Sequence, residues 1–262
     1  MQICIPLNSM KISIVQFSPA WKAPEANRNS LKNLLALVPE TDLIVLPEMF
    51  STGFVTDPAG VAEKDGESLR FMQETAAQRN CAVAGSLAVE EEGAFFNRFY
   101  FVYPDGSEVH YDKHHLFTFG GEHRTFTAGE KPVVAEFRGV RILLQVCYDL
   151  RFPVFSRNRL LPDGKVLYDL ALYVASWPDV RSDAWDALLR ARAIENQCFL
   201  AGVNRVGEDP GNRYSGHSVV LDPKGRLLSG CEEYREEILT CEIRLQDLQA
   251  FRNQFPVLQD AD

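Results

Sequence analysis

The strongest constraint on the fold is a set of short runs in which nearly every residue is apolar. They occupy residues 42–47, 141–147 and 170–175. A strand with one face in water alternates apolar and polar residues, so these runs predict strands that are covered on both faces. Each run is far shorter than the roughly 18 apolar residues of a membrane span. We therefore expect buried strands with further layers above and below their sheet.

Helices and hairpins are predicted between these runs. Apolar residues spaced three and four positions apart predict helices over residues 27–38, 67–80 and 182–197. Ser182 or Asp183 is expected to cap the third helix. Turn sequences at 104–106 and 222–225 predict two hairpins. Further strands are expected at residues 11–17, 81–86, 97–103, 108–111, 218–221 and 227–228. This alternation predicts an α/β fold with one mixed sheet, or two sheets, and helices outside.

The chain is predicted to form a single domain over residues 1–262. No Pro/Gly-rich stretch is long enough to be a linker, and no repeat or low-complexity run interrupts the alternation of elements. The true start is open between Met1 and Met10. If translation begins at Met10, residues 1–9 are a disordered or non-native N-terminal extension.

Charge and cysteine usage limit the partners and the compartment. The 27 Lys and Arg against 36 Asp and Glu leave a net charge of −9, which argues against nucleic acid or an anionic membrane as partner. The six cysteines form no CxxC pair, and the first residues lack the basic region of an export signal. Reduced thiols and a cytoplasmic location are therefore expected.

Three polar side chains stand where predicted strands end. Glu48 follows the run at 42–47, Cys147 closes the run at 141–147, and Lys113 follows the second arm of the first hairpin. Taken singly, each has an ordinary interpretation: an inert core thiol, a carboxylate at a helix start and a solvated lysine. Ligands of open α/β sheets bind at the carboxyl ends of the strands, so we expect all three to meet there.

Thiol chemistry gives a reason for such a group. A cysteine nucleophile is mostly protonated at neutral pH and needs a base or a nearby cation. A carboxylate can take the proton, and an ammonium can hold a developing oxyanion. A papain-type pair of Cys and His competes with this interpretation. Its candidates are the five histidines His110, His114, His115, His123 and His217.

The segments at 46–48, 111–117 and 146–153 resemble the three signatures of the nitrilase (carbon–nitrogen hydrolase) superfamily. They occur in that family's order, with 65 positions between Glu48 and Lys113 and 34 between Lys113 and Cys147. The resemblance covers nearly the whole chain. It implies a four-layer α-β-β-α sandwich that pairs into a homodimer across an outer helical face. Residues 184–197 and 245–255 are candidate interface segments.

The resemblance also implies a site and a substrate. Residues 47–54 and 175–178 resemble the bacterial omega-amidase branch, whose members hydrolyse the terminal amide of 2-oxo acid amides such as 2-oxoglutaramate and 2-oxosuccinamate. Glu48, Lys113 and Cys147 would be catalytic, with Glu122 and the backbone N–H of Tyr148 in support. The chemistry would need no metal or organic cofactor. The candidate substrate-binding residues are Arg151, Phe119, Ser176 and Trp177.

Several interpretations stay open at this point. Arg151 could bind the substrate carboxylate or form a structural ion pair beneath the Cys147 turn, and Trp177 could line the pocket or pack in the core. Asp149 and Arg192 are expected to support the site. The same catalytic group could serve an aliphatic or N-carbamoyl amide hydrolase. A non-catalytic metabolite-binding relative is an alternative of another class, and a zinc protein built on His110, His114 and His115 is a third.

Overall fold

The computed structural model describes residues 9–260. The strands are β1 Ser9–Gln16, β2 Leu43–Val45, β3 Ala82–Glu91, β4 Ala94–Val102, β5 Glu108–Asp112, β6 Val133–Phe137, β7 Val140–Val146, β8 Leu170–Ala175, β9 Phe199–Asn204, β10 Val206–Glu208, β11 Arg213–Ser215, β12 Val219–Leu221, β13 Leu227–Gly230 and β14 Glu237–Arg244. The α-helices are α1 Pro24–Leu35, α2 Glu67–Arg79, α3 Ser182–Glu195 and α4 Leu245–Gln254.

Two six-stranded sheets form the centre of the molecule. The first has the order β14-β1-β2-β3-β4-β5 and the second the order β13-β12-β9-β8-β7-β6. Strands β1, β2 and β3 are parallel, as are β7, β8 and β9, and the outer strands of both sheets run antiparallel. Strands β10 and β11 make a separate two-stranded hairpin.

Alternate residues of the central strands face different layers. In β2, Leu43 and Val45 belong to the core between the two sheets, whereas Ile44 packs with α1 and α2 on the outside of the first sheet. On the outside of the second sheet, α3 and α4 add apolar side chains such as Trp185 and Leu248. The continuous apolar runs are thus covered on both faces, and the predicted α-β-β-α order of layers is confirmed.

Most predicted elements are present, with shifted ends. Helix α1 begins at Pro24, three residues before the predicted start, since proline suits the first turn of a helix. The predicted cap of α3 is wrong: neither Ser182 nor Asp183 caps it. A 3₁₀ turn at Asp179–Arg181 leads directly into the helix, so the backbone of Ser182 is already helical. The sequence does not predict strands β6, β9, β10, β11 and β14 or helix α4.

The amino terminus falls partly outside the described range. Residues 1–8 of the predicted extension 1–9 lie outside the described residues, and Ser9 is the first residue of β1, where it pairs with Arg244. Within residues 9–260, no helix is long and apolar enough to cross a membrane.

Candidate active site

Glu48 and Lys113 meet at one edge of the first sheet. Glu48 follows β2, and Lys113 follows β5, which runs in the same direction as β2. The Lys113 ammonium Nζ lies 3.0 Å from Glu48 Oε1, and neither side chain is exposed to solvent. The solvated-lysine interpretation is therefore wrong, and the expected proximity of these two side chains is observed.

Cys147 comes to the same place from the second sheet. It follows β7, parallel to β8, and the residue after β8 is Ser176. The backbone N–H of Ser176 donates to Glu48 Oε2 at 2.8 Å, and Ser176 and Cys147 line the same pocket. The site thus lies between the sheets, with the carboxylate and the ammonium on one side and the sulfur on the other.

The backbone at Cys147 is bent sharply. Strand β7 ends at Val146, Cys147 has a left-handed φ of 47°, and a 3₁₀ turn covers Cys147–Arg151. A left-handed conformation is costly for a residue with a Cβ, and it is found at strand-to-helix turns that present a nucleophile. This bend places the thiol at the end of the strand, where 8% of the residue remains accessible.

Two further polar side chains complete the buried group. Glu122 lies 2.9 Å from Lys113 Nζ through Oε2 and accepts the Phe117 N–H at 2.6 Å. The Asn97 amide Nδ2 donates to Glu48 at 2.8 Å and to Glu122 at 3.0 Å. Asn97 is not among the residues that the sequence predicts for the site. Its one local signal is an amide, next to Arg98, among the apolar residues of β4.

The group contains one ammonium between two carboxylates. Burial opposes the charge on Lys113, yet Glu122 and Glu48 stabilise it and raise the pKa of Lys113 above its ordinary value. Burial raises the pKa of Glu122, and Lys113 opposes that rise. Lys113 therefore remains charged and supplies a fixed cation beside the sulfur.

The Cys147 thiol is protonated at neutral pH. Burial raises its pKa well above the ordinary 9.0, the negative charge of Glu48 raises it further, and Lys113 only partly counteracts them. A cysteine in this environment does not react as a preformed thiolate. Its sulfur becomes a nucleophile when a neighbouring base takes the proton during attack.

Asp149 connects the cysteine turn to the lysine loop. Its buried carboxylate accepts hydrogen bonds from the Val146 N–H at 3.0 Å, the Tyr111 hydroxyl at 2.8 Å and the His115 N–H at 2.9 Å. Arg192 on α3 donates to the Leu150 carbonyl at 2.6 Å, on the other side of the same turn. Both residues thus support the turn from below, as expected.

A pocket opens above the sulfur and encloses about 410 Å³ of space, its mouth included. Of the predicted residues it contains Cys147, Tyr148, Arg151, Ser176 and Trp177. Sequence reasoning missed the remaining lining residues, which are Phe54, Phe117, Pro178, Arg181, Asn212 and Tyr214. They come from four segments that are far apart in the sequence, so no local pattern connects them.

Phe119 does not line this pocket, contrary to prediction. It lies in the 3₁₀ turn Thr118–Gly120 and is 87% exposed. The side chain at the pocket is that of Phe117, two residues earlier. The two ring centroids lie 5.9 Å apart, with the Phe119 ring on the solvent side, and the Phe117 ring packs so closely on Gly120 that a Cβ there would lie 2.5 Å from it.

The other predicted pocket residues have identifiable contacts. The Arg151 guanidinium lies 4.7 Å from the centroid of the Trp177 ring, and within residues 9–260 it forms no ion pair. The predicted ion pair beneath the turn is thus not observed. Trp177 is buried and donates from Nε1 to the Arg181 carbonyl, so it both packs in the core and lines the pocket. Ser176 contacts Glu48 through its backbone N–H.

The histidines lie beside the site and have other partners. His114 Nδ1 pairs with the Gly129 carbonyl at 2.6 Å, and His115 Nδ1 pairs with Asp149 at 2.9 Å. Their rings stack on Phe155 and Phe152. In the described part of the chain, no three His, Cys, Asp or Glu side chains converge as metal ligands. The geometry therefore favours neither the papain-type pair nor the zinc site.

Comparisons with known proteins show the family of this chain. The family model for carbon-nitrogen hydrolases matches residues 11–253. The chain is 43% identical to omega-amidase YafV of Escherichia coli strain K12 over 97% of both chains, and 36% identical to 2-oxoglutaramate amidase of Bacillus subtilis over 95% and 96%. The crystal structure of XC1258 from Xanthomonas campestris, a CN-hydrolase superfamily protein with an arsenic adduct in its active site, superposes with a TM-score of 0.94 at 42% identity and 97% coverage of both chains.

Proposed function

Because the chain belongs to the carbon–nitrogen hydrolase family, we propose that its Cys147 site hydrolyses the terminal amide of 2-oxo acid amides and releases ammonia. The relatives named omega-amidase and 2-oxoglutaramate amidase support 2-oxoglutaramate and 2-oxosuccinamate as substrates. The observation that carries the proposal is the buried Glu48–Lys113 pair beside Cys147, which itself lines a pocket that contains arginine.

Acylation begins with proton transfer from the Cys147 thiol to Glu48. Of the two carboxylates, Glu48 has the larger effect on the pKa of the Cys147 thiol, whereas Glu122 is held by Lys113, Asn97 and the Phe117 N–H. Glu48 is therefore the carboxylate placed to act as the base, and Glu122 orients Lys113. The sulfur then attacks the amide carbon, and the electron pair of the C=O bond moves to its oxygen.

The charge on that oxygen needs fixed donors. Lys113 is a buried cation with its side chain held from both sides, and the backbone N–H of Tyr148 follows the nucleophile directly. Preorganised donors of this kind each lower a barrier by roughly 3–4 kcal/mol. When the intermediate collapses, the C–N bond breaks, the proton on Glu48 moves to nitrogen, and ammonia leaves a thioester on Cys147.

Deacylation repeats these steps with water. Glu48 takes a proton from the water, whose oxygen attacks the thioester carbon, and Lys113 with the Tyr148 N–H again holds the oxyanion. The C–S bond then breaks, the sulfur recovers the proton from Glu48, and the carboxylic acid is released. Protein side chains and water account for every proton in this scheme.

Ammonia release tests the proposal. The substrates are 2-oxoglutaramate, 2-oxosuccinamate, glutamine, a simple aliphatic amide and an N-carbamoyl amino acid. We expect rapid release from the two 2-oxo acid amides and a loss of at least about 10³-fold in Cys147→Ala. Cys198→Ala is the matched control, because it also removes a buried free thiol but outside the pocket.

The other outcomes distinguish the alternatives. Cys147-dependent turnover of only the aliphatic or N-carbamoyl substrate would retain the catalytic group and contradict the omega-amidase assignment. Turnover of none of them would favour the binding relative. Full activity in Cys147→Ala would contradict the whole mechanism.

For the assembly, we propose one domain that pairs into a homodimer in the cytoplasm. The expected interface segments correspond to α3 and to α4 with the residue after it. Ile194 on α3 is 50% exposed and Phe255 after α4 is 60% exposed. Apolar side chains on an outer helical face are typical of a surface that is covered by a second subunit.

A further inference from the structure

The pocket contains a second arginine, Arg181, that the sequence did not single out. It ends the 3₁₀ turn between Trp177 and α3. Its guanidinium lies 5.6 Å from the centroid of the Phe117 ring, much as Arg151 lies over Trp177. Both rings line the pocket. Two guanidinium groups thus line the same pocket, and each contacts one aromatic ring of its wall.

Within residues 9–260, neither Arg151 nor Arg181 forms an ion pair with a carboxylate, unlike the arginines that support the fold. Arg98 pairs with Asp112 at 2.7 Å, and Arg252 pairs with Asp169 at 2.7 Å. The chain carries a net charge of −9, so carboxylates are plentiful on its surface. Two unneutralised guanidiniums in one pocket provide donors for an anionic ligand.

Two hydrogen bonds hold the backbone of Arg181 at the pocket. Its N–H donates to the Pro178 carbonyl at 3.0 Å, and its carbonyl accepts the Trp177 Nε1–H at 2.8 Å. The Phe117 ring restricts the guanidinium from one side. An arginine stacked in this way loses less side-chain entropy when it binds a carboxylate than a free one does.

Resting on the proposed amidase function, we propose that Arg181 binds the substrate's carboxylate together with Arg151 and determines the preference for anionic over neutral amides. The pocket then has two ends. The amide lies on Cys147 and Lys113 at the floor, and the distal carboxylate lies between the two guanidiniums. The substrates are amides whose acyl chain ends in a carboxylate.

Kinetics of Arg181→Gln test this proposal. For 2-oxoglutaramate we expect kcat/KM to fall about 10- to 100-fold, mainly through KM, because a charge-assisted contact to the carboxylate is lost. For pentanamide, which has no carboxylate, kcat/KM should change by less than about 3-fold. Arg181→Lys should recover part of the loss, since it keeps the charge but not the bidentate geometry. Arg226→Gln, an exposed arginine outside the pocket, is the control.

An equal fall with both substrates would show that Arg181 only supports the turn, and no fall with either would show that it has no role. Both outcomes would overturn the proposal. A second measurement works without turnover: protection of Cys147 by 2-oxoglutarate against alkylation by iodoacetamide, followed by peptide mass spectrometry. We expect protection in wild type to require about 10-fold more 2-oxoglutarate in Arg181→Gln.

The two measurements separate the two proposals. If wild type hydrolyses no 2-oxo acid amide but its protection depends on Arg181, the proposed function is wrong and the role of Arg181 stands. If wild type is not protected, or if Arg181→Gln is protected at the same concentration, the role of Arg181 is wrong whatever the turnover.

Discussion

At the scale of single residues, the site is a balance of buried charges. Glu48 and Glu122 both contact the Lys113 ammonium, so two carboxylates share one cation when all are ionised. Burial raises the pKa of the Cys147 thiol, and the negative charge of Glu48 raises it further. The same carboxylate that suppresses the thiolate at rest is the base that takes its proton during attack. Glu48 therefore disfavours the resting thiolate of Cys147 and yet promotes the attack by its sulfur.

This opposition gives a prediction for Glu48→Gln. Amidase activity should fall by about 10²- to 10⁴-fold because the base is lost. The pKa of the Cys147 thiol should move down, because a negative charge that raises it is removed. Below this new pKa the thiol stays protonated, and above it the thiolate forms. The variant should thus show thiolate at a lower pH than wild type does.

The ultraviolet absorbance of the thiolate, with Cys147→Ala subtracted as background, measures this midpoint against pH. Glu122→Gln is the matched comparison, and its downward shift should be smaller because Glu48 has the larger effect on the sulfur. An unchanged or higher midpoint in Glu48→Gln would contradict this assignment of charges.

At the scale of elements, the site depends on how loops from different strands are joined. Asp149 lies in the turn after β7 that carries the nucleophile, and it receives hydrogen bonds from Val146 at the end of β7 and from His115 in the loop that carries the lysine. The two sheets do not hydrogen-bond to each other through their strands in this region. A single buried carboxylate therefore contributes to the alignment of two catalytic loops.

We expect Asp149→Asn to lose both stability and turnover. An amide nitrogen in place of one oxygen faces N–H donors, so the free energy of unfolding should fall by about 2–4 kcal/mol. The turnover number kcat should fall more than KM changes, because the reacting groups move apart while Arg181, on a separate turn, stays in place. Urea unfolding and steady-state kinetics measure the two effects.

The control for this variant is Asp57→Asn, since Asp57 is largely exposed and lies 3.8 Å from its lysine partner. It should change the free energy of unfolding by less than about 0.5 kcal/mol. Wild-type stability in Asp149→Asn would contradict the role of Asp149 in joining the loops.

Helix α3 packs closely on β9 because β9 has a glycine at the contact. A Cβ on Gly202 would lie 2.5 Å from Leu189 Cδ1 and 3.1 Å from Trp185 Cζ2, both on α3. We predict that Gly202→Ala lowers the free energy of unfolding by about 1–3 kcal/mol, because the helix must shift outward. Urea unfolding checks this value.

Gly211→Ala is the matched control for Gly202→Ala. The nearest atom to a Cβ at Gly211 is Asp209 Oδ1, at 3.8 Å, so the added methyl group meets ordinary contact distances. If both variants had the same stability, the close approach of α3 and β9 would not limit the packing of this layer.

At the scale of the whole molecule, the two sheets bury the catalytic group between them. Glu48, Lys113 and Asn97 come from the first sheet, and Cys147 and Ser176 come from the second. The two outer helical layers differ in their relation to the pocket. Helix α3 follows directly on the turn that carries Arg181. Helix α3 is therefore adjacent in the chain to a pocket residue, whereas α1 and α2 cover the outside of the first sheet.

The proposed dimer gives a prediction at this scale. Wild type should sediment with twice the mass of the chain, and Ile194→Glu should shift the equilibrium toward the monomer, because a carboxylate would be buried in an apolar interface. Leu37→Glu is the matched control, since Leu37 is 75% exposed just after α1 on the opposite outer layer. Analytical ultracentrifugation measures both. A monomeric wild type, or equal behaviour of the two variants, would contradict this interface.

The sequence by itself determined the α/β class, the family and the catalytic candidates of this protein, and the order of layers followed from the family resemblance. Apolar runs need cover on both faces whatever the rest of the chain does, so residues 42–47 and 170–175 predict buried strands locally. Glu48, Lys113 and Cys147 each follow a strand, and strand ends meet at sheet edges. These inferences need only neighbours along the chain, and for that reason they could be made before the structure.

Only the tertiary structure decided which side chains converge on the pocket. Asn97 joins the two carboxylates from the middle of β4, and Arg181 reaches the pocket from the turn before α3. Phe117 lines the pocket and Phe119 does not, because the 3₁₀ turn Thr118–Gly120 leaves the Phe119 side chain in solvent. Such outcomes depend on how two sheets stack and how loops distant in sequence pack together. Local spacing carries no information about either, so contacts between separate elements are set by the fold as a whole.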